Sequence, residues 1–147
     1  MSEPTLELLF TIANTAVLPA WLLLALAPMA RPTQVLVHSG LVPGLLAVLY
    51  SVLLISAVAS GAVPADADFT SLSGIRSLLA APIAALAGWV HYLCFDLMVG
   101  AWVARDGAER GGNRLWLAVV LFFTLMVGPF GLLVHLLTRG KRAPASP

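Results

Sequence analysis

Four apolar runs, each long enough to cross a bilayer as a helix, leave this chain few folds to choose from. They cover roughly Leu6–Ala27, Val35–Ser60, Leu78–Ala104 and Leu115–Leu137, against the ~20 residues that a spanning helix needs. Most charges fall between the runs, which excludes an unusually apolar soluble globule. Only 10% of the 147 residues are charged and 60% are hydrophobic, whereas a soluble domain is about 25% charged. In lipid every backbone N–H and C=O must be satisfied within the protein, and a helix does this inside one segment. The expected fold is an all-α membrane protein, a four-helix transmembrane bundle forming a single integral membrane domain over residues 1–147.

Each run carries a proline, Pro19, Pro43, Pro82 or Pro129. Proline removes a helical hydrogen bond and bends the helix, so the spacing predicts proline-kinked helices with room for a cavity. Gly40-x-x-x-Gly44 is a candidate close-packing face, and Ser71 or Ser73 a candidate N-cap for the third helix. The first run follows Glu3 and Glu7 without any Lys or Arg, so it is expected to be a retained span and not a signal peptide. The basic tail from Arg139 onward is expected to be disordered. With four spans, Arg76, Arg139, Lys141 and Arg142 fall on one side and Arg31, Arg105, Arg110 and Arg114 on the other. Such a tie gives no orientation by charge.

The third run holds the chemistry. Gly88-Trp89-Val90-His91-Tyr92-Leu93-Cys94-Phe95-Asp96 places a carboxylate, an imidazole, a phenol and an indole where an anchor would carry Leu and Val. A carboxylate at the centre of a membrane helix costs about 2.5–3.5 kcal/mol, so Asp96 is a candidate functional residue. Asp96 reads either as an acid or base or as an interhelical hydrogen-bond post. His91 reads as a catalytic residue or a satisfied core histidine. Five residues of helix turn the two about 140° apart, so a direct pair needs a distorted helix, or partners from other runs. Asn14, Tyr50, Ser51 and His135 are available. Trp89, Tyr92 and Trp102 would line an apolar ligand cavity or simply pack. Trp21 and Trp116 are expected as interface anchors, Arg105-Asp106 as a solvated helix end, and Cys94 as a small apolar filler.

Other chemistries find no support. A net charge of +1 and the lack of a basic stripe argue against nucleic acid. His38, His91 and His135 lie in three different runs without ligand spacing, so no metal is expected. No phosphate loop or nucleophile elbow calls for a cofactor or an activated serine.

The segment Phe69-Thr-Ser-Leu-Ser-Gly74-Ile-Arg76, with Gly88-Trp89-Val-His91-Tyr92-Leu-Cys-Phe-Asp96-Leu-Met-Val-Gly100-Ala-Trp102-Val-Ala-Arg105-Asp106, resembles the neoxanthin-synthase-like membrane family. The resemblance extends to Asn14…Leu18-Pro19-x-Trp21 and to Gly128-Pro129-x-Gly131-Leu-Leu. It implies four membrane helices linked to carotenoid epoxide chemistry. Conversion of an epoxide to an allenic alcohol is redox-neutral and needs an acid and a base but no cofactor. By that resemblance Asp96 would be the base and His91 or His135 the acid, with Trp89 and Tyr92 against the polyene; Trp102 and Asn14 are further candidate ligand-binding residues.

The expected function is thus an isomerase-type carotenoid enzyme, or a binder of a carotenoid or another isoprenoid-like lipid. The alternative is a non-catalytic membrane scaffold for a larger enzyme. A homo-oligomer or a membrane-protein partner is compatible with either. The Ala-rich sequence shows no recognisable plastid transit peptide, which suggests a bacterial inner membrane.

Overall fold

The computed structural model describes residues 1–140; the tail expected to be disordered lies, from residue 141 on, outside them. The described residues form helices and contain no strand. The elements are α1 (Glu3–Leu26), α2 (Arg31–Thr33) continued by a π-helical turn (Gln34–His38), α3 (Leu41–Ala59), α4 (Leu72–Ala80), α5 (Pro82–Glu109), α6 (Arg114–Val127) and α7 (Pro129–Thr138). The chain divides into two compact units. One comprises Met1–Ala16 with Gly44–Cys94, the other Val17–Pro43 with Phe95–Pro147.

Three segments are long and apolar enough to cross a membrane: Glu3–Leu26, Arg31–Ala59 and Pro82–Glu109. Their outward faces are apolar as well, with Leu8, Ile12, Leu18 and Leu22 exposed on α1 and Leu45, Val48, Val52 and Ile55 on α3. A helix that is hydrophobic all round suits lipid or a deep core and not a water-facing surface.

Among the described residues the fourth apolar run does not form one long helix. Gly128 leaves the helical region at φ 38°, ψ −96°, and the run breaks into helices of 14 and 10 residues. At 1.5 Å per residue, neither alone covers the ~30 Å hydrocarbon thickness. On one continuous helix Trp116 and Thr138 would stand about 33 Å apart; instead the Trp116 Nε1–H donates to Thr138 Oγ1 at 3.1 Å. Accordingly α7 folds back along α6. Gly131 permits the close approach, because a Cβ there would meet the backbone nitrogen, Oγ1 and Cα of Thr124.

The prolines act differently from expectation. Pro19 alone lies inside a helix. Pro43 stands in the first turn of α3, while Pro82 and Pro129 open α5 and α7. These are positions where the missing N–H has no helical partner to lose. Ala81, held extended (φ −77°, ψ 122°) ahead of Pro82, separates α4 from α5. Gly40 is a break (φ 85°) and not a packing face: a Cβ at Gly40 or Gly44 would meet nothing within 4 Å.

In the first unit the loop before α4 is built on Asp68. Its Oδ1 accepts from Thr70 N (2.6 Å), Thr70 Oγ1 (2.8 Å) and Ser71 N (2.8 Å), and its Oδ2 accepts from Ser71 Oγ (2.9 Å). These bonds, Thr70's hydroxyl foremost, hold the carboxyl below its ordinary range. Gly74 packs directly on this loop, where a Cβ would strike the Asp68 carboxyl and backbone. Ser71 Oγ in turn accepts from Gly74 N at 3.0 Å and caps α4. Ser71→Ala is therefore expected to lower stability by about 1 kcal/mol, read as a fall in the thermal unfolding midpoint in mild detergent.

In the second unit Trp21, expected as an interface anchor, is only 4% exposed. Gly100 makes that burial fit, since a Cβ there would come within 2.6 Å of the Trp21 ring.

Candidate functional site

The first unit gathers an aromatic cluster on α5. Asn14 of α1 donates from Nδ2 to Phe10 O (2.7 Å), which orients its amide. Its Oδ1 then accepts from Trp89 Nε1 at 3.1 Å. The Trp89 ring stacks on Tyr92 (centroids 5.6 Å, 24°) and lies 5.8 Å from Phe10. The Asn14 expected beside a ligand therefore serves Trp89 directly.

His91 faces a different neighbour, the Tyr50 ring of α3, with centroids 5.6 Å apart. Both line a cavity of about 370 Å³ whose wall is otherwise Leu54, Ala57, Val58, Val63, Phe69, Ile75, Leu78, Leu79, Ala84, Ala87 and Gly88. Tyr50 and His91 are the only side chains in that wall with a hydrogen-bonding atom. Val58 follows Tyr50 by eight residues on α3, and Ala84 precedes His91 by seven on α5. At 1.5 Å per residue the polar pair sits about 10–12 Å along the helices from the far apolar wall. Few polar groups at one end of an apolar cavity is how small-ligand sites fix orientation. A second cavity of about 370 Å³ beside Trp89 has Glu3 and Glu7 in its wall and is less suited to a hydrocarbon.

The second unit holds Asp96, Trp102 and His135. Asp96 lies against the turn that starts α7: a Cβ on Gly128 would come within 2.6 Å of its Oδ1. A carboxylate from α5 thus stands where α7 presents unsatisfied N–H groups, and the helix dipole favours it there.

His135 is buried (5% exposed), packs edge-on to Trp102 (centroids 5.3 Å, 86°), and its Nε2–H donates to Asp106 Oδ2 at 2.9 Å. Asp106 is no solvated helix end. It is 6% exposed, and the same Oδ2 takes Arg110 Nε at 2.7 Å and stands 3.8 Å from Arg139 Nη1. The hydrogen bond to Asp106 raises the Arg110 pKa above its ordinary value. Arg110 Nη1 donates to Gly140 O (2.7 Å), and Arg114 Nη2 donates to Leu26 O (3.0 Å), at the end of α1. The four-residue spacing of Asp106 and Arg110 is a helical ion-pair signal in the sequence. Nothing comparable announces His135, which reaches the pair only because α7 turns back.

The expected residues thus fall into two groups: Asn14, Trp89, His91 and Tyr92 in the first unit, Asp96, Trp102 and His135 in the second. Cys94 is buried as expected of a filler.

Comparison with known proteins concerns the chain as a whole. The chain is 28% identical over 134 residues to Protein ABA DEFICIENT 4, chloroplastic, of Arabidopsis thaliana. The match covers 88% of this chain and 60% of that protein, so the chain spans about three fifths of the relative's length. A relative that is chloroplastic lends no support to a bacterial inner membrane. No solved structure matches the chain. Residues 8–135, which include every expected site residue, match the family described as ABA DEFICIENT 4-like. The chain belongs to that family, and the resemblance read from His91, Asp96 and the Gly128–Gly131 turn is borne out.

Proposed function

We propose that this protein is an integral membrane protein that takes the end group of a carotenoid, or of another isoprenoid-like lipid, into the first-unit cavity. The cavity itself carries the reading: about 370 Å³ of apolar wall with Tyr50 and His91 as its polar groups. Ligand sites run from about 300 to 1,000 Å³, so this one has the size for a ring and the start of its chain. The rest of a long polyene would lie along the exposed apolar faces of the helices. Family membership supports the carotenoid class, and the redox-neutral chemistry needs no cofactor.

In the catalytic form of this reading, His91, with Tyr50 beside it, protonates an epoxide oxygen as its C–O bond breaks. The His91 imidazole left neutral by that step then takes the proton from the neighbouring vinylic carbon, so the histidine is restored and no electrons are gained or lost. Asp96 and His135, expected as base and acid, are read here as positioning residues, one at the start of α7 and the other on Asp106.

The test is pigment and lipid extraction from protein purified in mild detergent after expression with a carotenoid supply. Close to one polyene per protomer is expected. Ala84→Phe, which fills a half-buried part of the wall, is expected to reduce that retention at least fivefold (roughly 1 kcal/mol or more of binding). Phospholipid alone, with unchanged retention in Ala84→Phe, would sink this reading and favour a non-catalytic scaffold.

A further inference from the structure

Beside the Asp106–His135 pair, the second unit contains another cavity, about 270 Å³ in volume. Its wall has two characters. Arg110, Asn113, His135 and Arg139 supply the polar side, while Leu117 and Val120 supply an apolar side. Asp106 is not part of the wall, because it lies behind Arg110 and His135 as their acceptor.

The polar side is made for an acceptor. Arg110 is held by Asp106 and by Gly140 O, so its guanidinium is fixed in place before any ligand arrives. Among the described residues, Arg139 has the 3.8 Å contact to Asp106 and a stacked position 5.7 Å over Trp102. It therefore retains donors to give. The Asn113 side-chain oxygen is occupied by Leu115 N and Trp116 N, which leaves its amide N–H groups as the remaining function. The wall itself contributes two guanidinium groups and no carboxylate, since Asp106 and Glu109, the acids acting on Arg110, are not in it. Guanidinium forks match the oxygens of phosphates and carboxylates in pairs.

We propose that this cavity binds the anionic head of an amphiphile, a phosphate or carboxylate on a hydrocarbon chain. Arg139 and Arg110 face the oxyanion, and Leu117 and Val120 take the first carbons of the chain. No residue lines both this cavity and the apolar first-unit cavity.

The probes are dioleoylphosphatidylglycerol and dioleoylphosphatidylcholine, offered in equal amounts to the full chain in mild detergent and read by native mass spectrometry. The choline of the second lipid would bring a cation against the arginines. Retention of phosphatidylglycerol about tenfold over phosphatidylcholine is expected, the scale of one hydrogen bond to a charged group. Arg139→Gln should bring the two lipids near parity, and Arg139→Lys should keep part of the preference. Displacement of phosphatidylglycerol by inorganic phosphate would identify the head alone as sufficient, and retention against phosphate would show that the chain contributes; both keep the oxyanion site. Equal retention of the two lipids by the unaltered protein overturns the proposal whatever the variants do. So does a preference that Arg139→Gln leaves intact.

Discussion

Gly131→Ala is expected to open the α6–α7 fold-back and to cost about 3 kcal/mol, the upper range for forcing extra atoms into a packed site. The added methyl would meet the backbone nitrogen and Cα of Thr124 as well as its hydroxyl. A side chain can swing aside, but helix backbone cannot. Thermal unfolding in mild detergent should show a clear fall in midpoint, and the Trp116 indole should lose its Thr138 partner and shift its fluorescence. Gly44→Ala is the control, since a Cβ there meets nothing within 4 Å. Equal midpoints for Gly131→Ala and the control would mean that the two helices do not pack as described.

The second large effect is expected at Asp106. Asp106→Ala removes the one acceptor that Arg110 and His135 share at 2.7 and 2.9 Å. Breaking a buried ion pair from one side costs about 3–5 kcal/mol, because the partner charge stays behind without compensation. Here Arg110 keeps Gly140 O, and Arg139 is only part-buried, so the lower end of that range is expected. The midpoint should fall by more than it does for Ser71→Ala, whose loss is a single cap. A change within the error of the Ser71→Ala value would restore Asp106 to the solvated helix end that the sequence suggests. If the first cavity holds pigment as proposed, retention per folded molecule should not change, because Asp106 does not line it.

The helical class and three of the long apolar segments were legible because lipid-scale hydropathy and helix length are properties of consecutive residues. The Ser71 cap was legible for the same reason: it joins residues three apart. The fate of Leu115–Leu137 was not legible, because composition is identical for a spanning helix and for two helices packed on each other. Only Gly128-Pro129 marked the difference, and a kink and a reversal use the same residues. Asp106 was misjudged through that error. With a straight fourth helix His135 has no reason to approach it, and a carboxylate next to Arg105 at a helix end reads as solvated. The Asn14–Trp89 and Tyr50–His91 pairings link helices distant in sequence, so residue types could nominate their members but not match them.

The reversal at Gly128 also bears on how a membrane would take up this chain. The loop before α6 and the chain after α7 leave from one end, as the Arg110 bond to Gly140 O shows, and Arg114 ties the end of α1 to the same place. Arg105, Arg110, Arg114 and Arg139 therefore add where a fourth crossing would have set them against one another. Of the six basic side chains among the described residues, five, all but Arg76, belong to the second unit. Charge-directed insertion keeps Lys and Arg on the side where the chain is made. In a membrane, two short helices folded back on each other would let Arg139 stay on that side without being translocated.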